Sequence, residues 1–192
     1  MYWFMEDSKF ELMRAEATKV LEKIGYYQNQ GYAVSTDAVI DYIKQEYKKD
    51  IHIYGLEFSE IDSSLKEYGA ILMMKGPQKK DVSIFLNTGN DKKFQRFSLA
   101  HELGHLIYFC LEKKSEELII STHINYKVTS ISKEEWENDE FVKEEQIANV
   151  FALKLLIPDS ILNNLLDKYT IPDVEELLGV PDGAVRETMK LG

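Results

Sequence analysis

The pattern of apolar and polar positions divides this chain into helical segments near both ends and short strands between them. Apolar residues that recur every three or four positions predict several helices. Their approximate ranges are 8–27, 36–47, 60–67, 94–111, 140–157 and 158–166. The first begins at a capping-box pattern, Ser8 to Glu11, and ends near Gly25 and Gly31, whereas Thr36 is placed to cap the second.

Three other stretches predict β-strands. Ile51–Tyr54 is short, Gly69–Met74 is apolar throughout and should be buried, and Asp81–Asn87 alternates in the manner of a half-buried strand. Gly76-Pro77 breaks the chain between the last two strands. We therefore expect those two strands to be antiparallel neighbours.

The C-terminal segment, about residues 171–190, has the spacing of a helix-turn-helix. Its second helix carries only Arg186 and Lys190 as cations. Because DNA binding requires several cationic contacts to phosphates, we expect this segment to pack against the rest of the protein.

Composition and charge narrow the class of protein. A chain of 192 residues with 44% hydrophobic and 29% charged residues is typical of a globular domain, and one domain spanning 1–192 is the simplest expectation. A net charge of −10 argues against a general nucleic-acid surface. The single cysteine, Cys110, excludes an intrachain disulfide, and no apolar run reaches membrane-spanning length. The start of the sequence lacks the pattern of a secretory signal, so a cytoplasmic protein is expected.

The candidate chemistry lies in an H-E-x-x-H motif on the fourth predicted helix. His101 and His105 are four residues apart, so they share one helical face and can present two imidazoles to one metal ion. Glu102 is turned about 100° from them and can act as general base beside that ion. The apolar residues around the motif predict a buried helix, and buried polar groups need partners. This pattern is typical of zinc peptidases.

A tetrahedral catalytic zinc site requires a third protein ligand and one open position. Glu145 and Asn149 are four residues apart on a later helix, so Glu145 can complete the ligand set while Asn149 orients a ligand histidine. Glu144 is the competing carboxylate, but its helical partner would be Ala148 instead of Asn149. The small residues Ala148 and Ala152 should let the two helices approach closely.

Two blocks of sequence together resemble the ImmA/IrrE family of bacterial metallopeptidases. The family pattern is R-F-T/S-x-A-H-E-x-G-H followed by E-x-x-A-N-x-F-A-x-x-L-L-x-P. The corresponding blocks are Arg96-Phe97-Ser98-Leu99-Ala100-His101-Glu102-Leu103-Gly104-His105 and Glu145-Gln146-Ile147-Ala148-Asn149-Val150-Phe151-Ala152-Leu153-Lys154-Leu155-Leu156-Ile157-Pro158. Ile147 departs from the pattern, because a charged residue is common there, but this change removes no ligand.

The resemblance implies a zinc ion held by His101, His105 and Glu145, with Glu102 as base. It also implies a zincin-like α+β fold, in which a small, mostly antiparallel sheet packs on the helices that carry the ligands. The substrate would be a protein, with helix-turn-helix repressors of phages, mobile elements or stress systems as the family's usual partners. In such peptidases an edge strand pairs with extended substrate. The strand containing Val82, Ile84 and Leu86 is the expected one, unless it lies inside the sheet.

Several assignments stay open from the sequence. The donor to the oxyanion could be Tyr108, His123 or Tyr126, and residues 118–130 are either a lid or a solvated connection. The alternative function is a non-enzymatic regulatory protein that binds a repressor or a toxin-like partner, with a metal site that is structural or vestigial. A closed four-ligand site would support it. In that case His52 or His123 would have to supply a fourth ligand.

Overall fold

The computed structural model describes residues 8–28, 31–63, 68–74, 80–112, 118–123 and 139–191. Its elements are both helices and strands, so the expected α+β class is confirmed, whereas a zincin-like arrangement remains a prediction. The strands are β1 Asp50–Leu56, β2 Tyr68–Met74, β3 Asp81–Asn87 and β4 Leu118–His123. The helices are α1 Ser8–Lys23, α2 Thr36–Tyr47, α3 Phe58–Ile61, α4 Lys92–Leu111, α5 Glu140–Leu156, α6 Asp159–Leu166, α7 Ile171–Leu178 and α8 Ala184–Lys190.

The four strands form one mixed sheet in the order β1-β3-β2-β4. β2 is antiparallel to both β3 and β4, as the break at Gly76-Pro77 predicted for the first of these pairs. β1 is parallel to β3. Two of the three pairings are therefore antiparallel.

The expected substrate strand does not have a free edge. β3, which carries Val82, Ile84 and Leu86, is paired with β1 on one side and with β2 on the other. The prediction that this strand is an edge strand is therefore wrong. Within the described residues the outer strands are β1 and β4. The reason is topological: β1 precedes β2 in the chain but pairs with β3.

One face of the sheet packs on α4. Leu72 of β2 lies opposite Ile84 of β3, and Met74 lies opposite Val82, so these four apolar side chains share a face. All four are fully buried. α4, the helix that carries the H-E-x-x-H motif, contacts both strands. The sheet therefore supports this helix through its apolar face.

Local sequence explains where α1 ends and where α2 begins. α1 stops at Lys23 because Gly25 adopts a left-handed conformation with φ of 69°. Ser35, one residue before the expected Thr36, caps α2 by accepting a hydrogen bond from the Ala38 amide. α3 begins at Phe58, two residues earlier than expected, and residues 64–67 of the predicted helix lie outside the described residues.

Residues 118–130, the candidate lid, are partly a strand. Leu118–His123 forms β4, an outer strand of the described sheet, and this strand was not predicted. The remainder of that segment, including Tyr126, lies outside the described residues.

The C-terminal helices pack on the protein. Val174 and Leu178 of α7 and Val185 of α8 are fully buried, and α8 packs against α5.

Among the described helices, none is both long and apolar enough to cross a membrane.

Candidate metal centre

α4 places its histidines in the interior of the protein. Every residue from Phe97 to Phe109 is buried, including His101, Glu102 and His105. The helix is capped by Asp91, whose carboxylate accepts a hydrogen bond from the Phe94 amide. Ionisable side chains inside a buried helix need polar partners, and α5 supplies them for the two histidines.

α5 runs antiparallel to α4 across the site. His101 contacts Asn149, whereas His105, one turn further along α4, contacts Glu145, one turn earlier along α5. The helices approach closely at Gly104, where a Cβ would lie 3.1 Å from the carbonyl oxygen of Ala148. The close approach expected from Ala148 is thus present, and the glycine allows it.

Three ligand atoms converge between the two helices. The Nε2 atoms of His101 and His105 are 2.9 Å apart. Glu145 places Oε2 3.4 Å from Nε2 of His101 and Oε1 3.1 Å from Nε2 of His105. All the ligand atoms lie within 4.8 Å of one another.

These separations fit a metal ion. Bond lengths of about 2.0–2.1 Å to zinc place two tetrahedral ligands about 3.3 Å apart, close to the distances between His101, His105 and Glu145. Two imidazole nitrogens and one carboxylate are also a donor set that zinc uses in catalytic sites. The three residues can therefore hold a metal ion.

Asn149 fixes the tautomer of His101. Its Oδ1 lies 2.9 Å from Nδ1 of His101, and a carbonyl oxygen can only accept, so Nδ1 carries the proton. In the neutral ring Nε2 then has its lone pair directed towards the site. The Asn149 Nδ2 donates in turn to Oε1 of Gln146 at 3.5 Å, which favours this orientation of the amide.

The electrostatics of the site favour a charged carboxylate beside the imidazoles. Burial raises the pKa of Glu145, but hydrogen bonds from His101 and His105 outweigh it and hold that pKa well below its usual range. Burial lowers the pKa of His101, but Glu145, together with Glu102 and Asn149, raises it by more. Burial keeps the pKa of His105 below its ordinary value. A divalent cation bound here would balance the buried carboxylate, and its binding would release protons.

Glu102 lies inside the protein next to the first ligand. Its side chain is fully buried, and its charge contributes to raising the pKa of His101. Tyr108, one candidate oxyanion donor, is also buried and contacts Lys9 of α1. His123 lies in β4, where the structure describes the backbone only, and Tyr126 is outside the described residues.

Glu144 and His52 do not join this group. The ligand atoms that converge with the two histidines belong to Glu145, which agrees with the helical direction expected for it. His52 is exposed on β1, with Nε2 3.5 Å from Oδ2 of Asp50, and its neighbouring carboxylates are Asp50 and Asp81.

Arg96 connects three parts of the chain through hydrogen bonds, a role that was not predicted from the sequence. Its Nη1 donates to the carbonyl oxygens of Leu178 and, at 3.0 Å, Gly179, while Nη2 donates to Val34 at 2.6 Å. It thereby joins the start of α4 to the end of α7 and to the segment before α2. The signal was available: a guanidinium on an otherwise buried helix requires acceptors.

The comparison with protein-family models agrees with the candidate metal site, whereas the comparison with curated proteins found no match. The family model described as the IrrE N-terminal-like domain, a peptidase family, matches residues 48–190, about three quarters of the sequence. The matched region contains β1 to β4 and all three ligand residues. The chain therefore belongs to the peptidase family of the IrrE N-terminal-like domain, and its function is of the metallopeptidase type.

Proposed function

We propose that this protein is a zinc-dependent endopeptidase whose substrate is a regulatory protein, in particular a helix-turn-helix repressor of a phage, mobile element or stress system. The observation that supports the chemistry is the convergence of His101, His105 and Glu145 beside the buried Glu102. The repressor as substrate rests on the family resemblance.

His101, His105 and Glu145 would hold the ion, leaving one position of a tetrahedral set open. Zinc bound in this donor set supplies a Lewis acid for peptide hydrolysis. Asn149 keeps the Nε2 lone pair of His101 directed at the site by accepting the proton of Nδ1.

Glu102 is the proposed general base. Its carboxylate would accept a proton from the attacking water. The resulting carboxylic acid would then donate that proton to the leaving amine nitrogen, so the same side chain serves first as base and then as acid. The carboxylate is inside the protein, where a charge interacts more strongly with its neighbours than in water. Extended substrate would have to pair with an outer strand of the sheet, since β3 is paired on both sides.

The Glu102→Gln variant tests this function directly. Zinc content should equal that of wild type, because Glu102 is not a ligand, whereas cleavage should fall by about 10²–10⁴-fold. The assay measures the cleavage of purified helix-turn-helix repressor proteins, with β-casein as a general substrate. Wild-type activity should disappear with a chelator and return with zinc.

Two results would contradict the proposal. Cleavage by Glu102→Gln at the wild-type rate would remove the base assignment. A wild-type protein that binds the repressor tightly but never cleaves it, with or without zinc, would favour the regulatory binding protein instead.

A further inference from the structure

The first helix packs against a helix of the candidate metal centre although it precedes the family domain. The family match begins at residue 48, whereas α1 ends at Lys23. α1 packs directly against α5, the helix that carries Glu145. Its contact face is apolar and has helical spacing, with Phe10, Met13, Ala17 and Val20 all fully buried. The element that covers the third-ligand helix is therefore outside the matched region.

Lys9, in the first turn of α1, contacts both helices of the site. Its Nζ donates to Oε1 of Glu140 at 3.1 Å. The same ammonium lies 5.6 Å from the centroid of the Tyr108 ring, within the range of a cation–π contact. One side chain thus connects the first residue of α5 with the last turn of α4.

This connection is at the end of the helix pair where His105 and Glu145 meet. Tyr108 follows His105 by three residues, and Glu140 precedes Glu145 by five. Glu145 is in the second turn of α5, and the terminal turns of helices open more readily than their centres. A contact that holds the first turn of α5 against α4 therefore restricts the distance between Glu145 and His105.

The charges of this contact are stable around neutral pH. The neighbouring Tyr108 raises the pKa of Lys9, with a further rise from Glu140, and together they exceed the opposite effect of burial. Lys9 in turn lowers the pKa of Glu140. Both groups are therefore charged under the conditions of a metal-binding measurement.

We propose that Lys9 is a positioning residue of the metal centre, which holds α5 against the end of α4 so that the Glu145 carboxylate meets both histidines. The proposal rests on the metal site of the proposed function. It gives α1 a role in metal binding beyond its burial of apolar surface.

The test compares Lys9→Met with Lys143→Met in the full chain. Lys143 is a matched control, because its Nζ also contacts Glu140, at 3.4 Å, but from within α5. Lys9→Met should weaken zinc binding about tenfold, the lower end of the effect seen when groups that orient ligands are removed. Lys143→Met should bind zinc like wild type. Lys9→Arg, which keeps the charge, should restore most of the affinity.

Zinc affinity is measured by chelator competition well below the unfolding temperature, and unfolding temperatures are measured separately. The visible absorption of bound Co²⁺ reports the geometry of the ligands, and it should change in Lys9→Met but not in Lys143→Met. A role limited to stability would lower the unfolding temperature without changing this spectrum. Glu140→Gln, which weakens the same contact from the other side, should resemble Lys9→Met.

Two results with the variants, and one with the wild-type protein, would overturn the proposal. Zinc affinity and Co²⁺ spectrum unchanged in Lys9→Met would show that the contact does not position Glu145. An equal loss in Lys143→Met would assign the effect to the charge of Glu140 alone. In both cases a wild-type protein that binds zinc and cleaves would leave the proposed function intact. A wild-type protein that binds no zinc would overturn both.

Discussion

Gly104 faces the backbone of Ala148 where α4 and α5, the helices of the candidate metal centre, approach closely. A Cβ on residue 104 would lie 3.1 Å from the carbonyl oxygen of Ala148 and 3.2 Å from its Cα. Gly104 directly precedes the ligand His105, and Ala148 lies three residues after Glu145. The contact between these two backbones therefore sets the distance across which the ligands must meet.

Gly104→Ala should impair metal binding more than its effect on helix stability suggests. Alanine normally stabilises a helix by about 1 kcal/mol relative to glycine. Here the methyl group would force α5 away from α4, and overpacking of this kind costs about 1–3 kcal/mol. We expect a small net loss of stability, measured by urea unfolding, and clearly weaker zinc binding, measured by chelator competition.

Gly31→Ala is the control, because a Cβ at position 31 has no atom within 4 Å. It should leave zinc affinity unchanged. If Gly104→Ala bound zinc as tightly as the Gly31→Ala protein, the helix crossing would not determine the ligand distances.

Asn149 should influence zinc affinity without touching the ion. Asn149→Leu removes the acceptor for Nδ1 of His101, so the ring loses both its orientation and its tautomer preference. Loss of such a partner typically costs 10–100-fold in metal affinity, and we expect a value in that range by chelator competition. Asn149→Asp keeps an acceptor and should retain more affinity than Asn149→Leu. The reverse order of these two variants would contradict the proposed hydrogen bond.

Glu145 and its neighbour Glu144 should behave differently. Glu145→Gln removes a ligand and should weaken zinc binding more than Asn149→Leu does, because a metal bond is lost outright. Glu144→Gln changes the local charge equally but leaves His101, His105 and Glu145 in place, so its zinc content after dialysis should match wild type. Equal losses in the two variants would show that acidity alone, without a specific ligand, holds the ion.

The convergence of the candidate ligand residues was predictable because its signal is local. Four-residue spacing places His101 with His105, and Glu145 with Asn149, on single helical faces whatever the rest of the fold does. The choice of Glu145 over Glu144 likewise needed only helical direction. The antiparallel pairing of β2 and β3 followed from a short connection between them.

The errors and omissions involve contacts between distant parts of the chain. The position of β3 inside the sheet depends on β1, which pairs with it in parallel after β2 has intervened. Arg96 donates to carbonyl groups 62 and 82 residues away, and Lys9 reaches Glu140 across 131 residues. Because main-chain carbonyls and surface carboxylates are present throughout any sequence, no pattern indicates which of them such side chains contact.

Tyr26 should make the stability of the protein fall at alkaline pH. Its side chain is 5% exposed and donates to the carbonyl oxygen of Tyr32 at 2.5 Å. Burial, with a further effect of Tyr27, raises the pKa of Tyr26 from 10.0 to about 12.

The raised pKa contributes its full stabilisation of the folded protein below pH 10, which is the pKa of this tyrosine in the unfolded chain. This contribution is lost as the pH rises through about 12, the pKa of Tyr26 in the folded protein. A shift of this size corresponds to about 2–3 kcal/mol. Between these pH values the free energy of unfolding, measured in urea, should therefore fall by about that much more in wild type than in Tyr26→Phe. Tyr169 is 41% exposed and has no part in the pKa shift of Tyr26, so Tyr169→Phe should follow wild type. Parallel curves for wild type and Tyr26→Phe would mean that the phenol is not protected from ionisation by the fold.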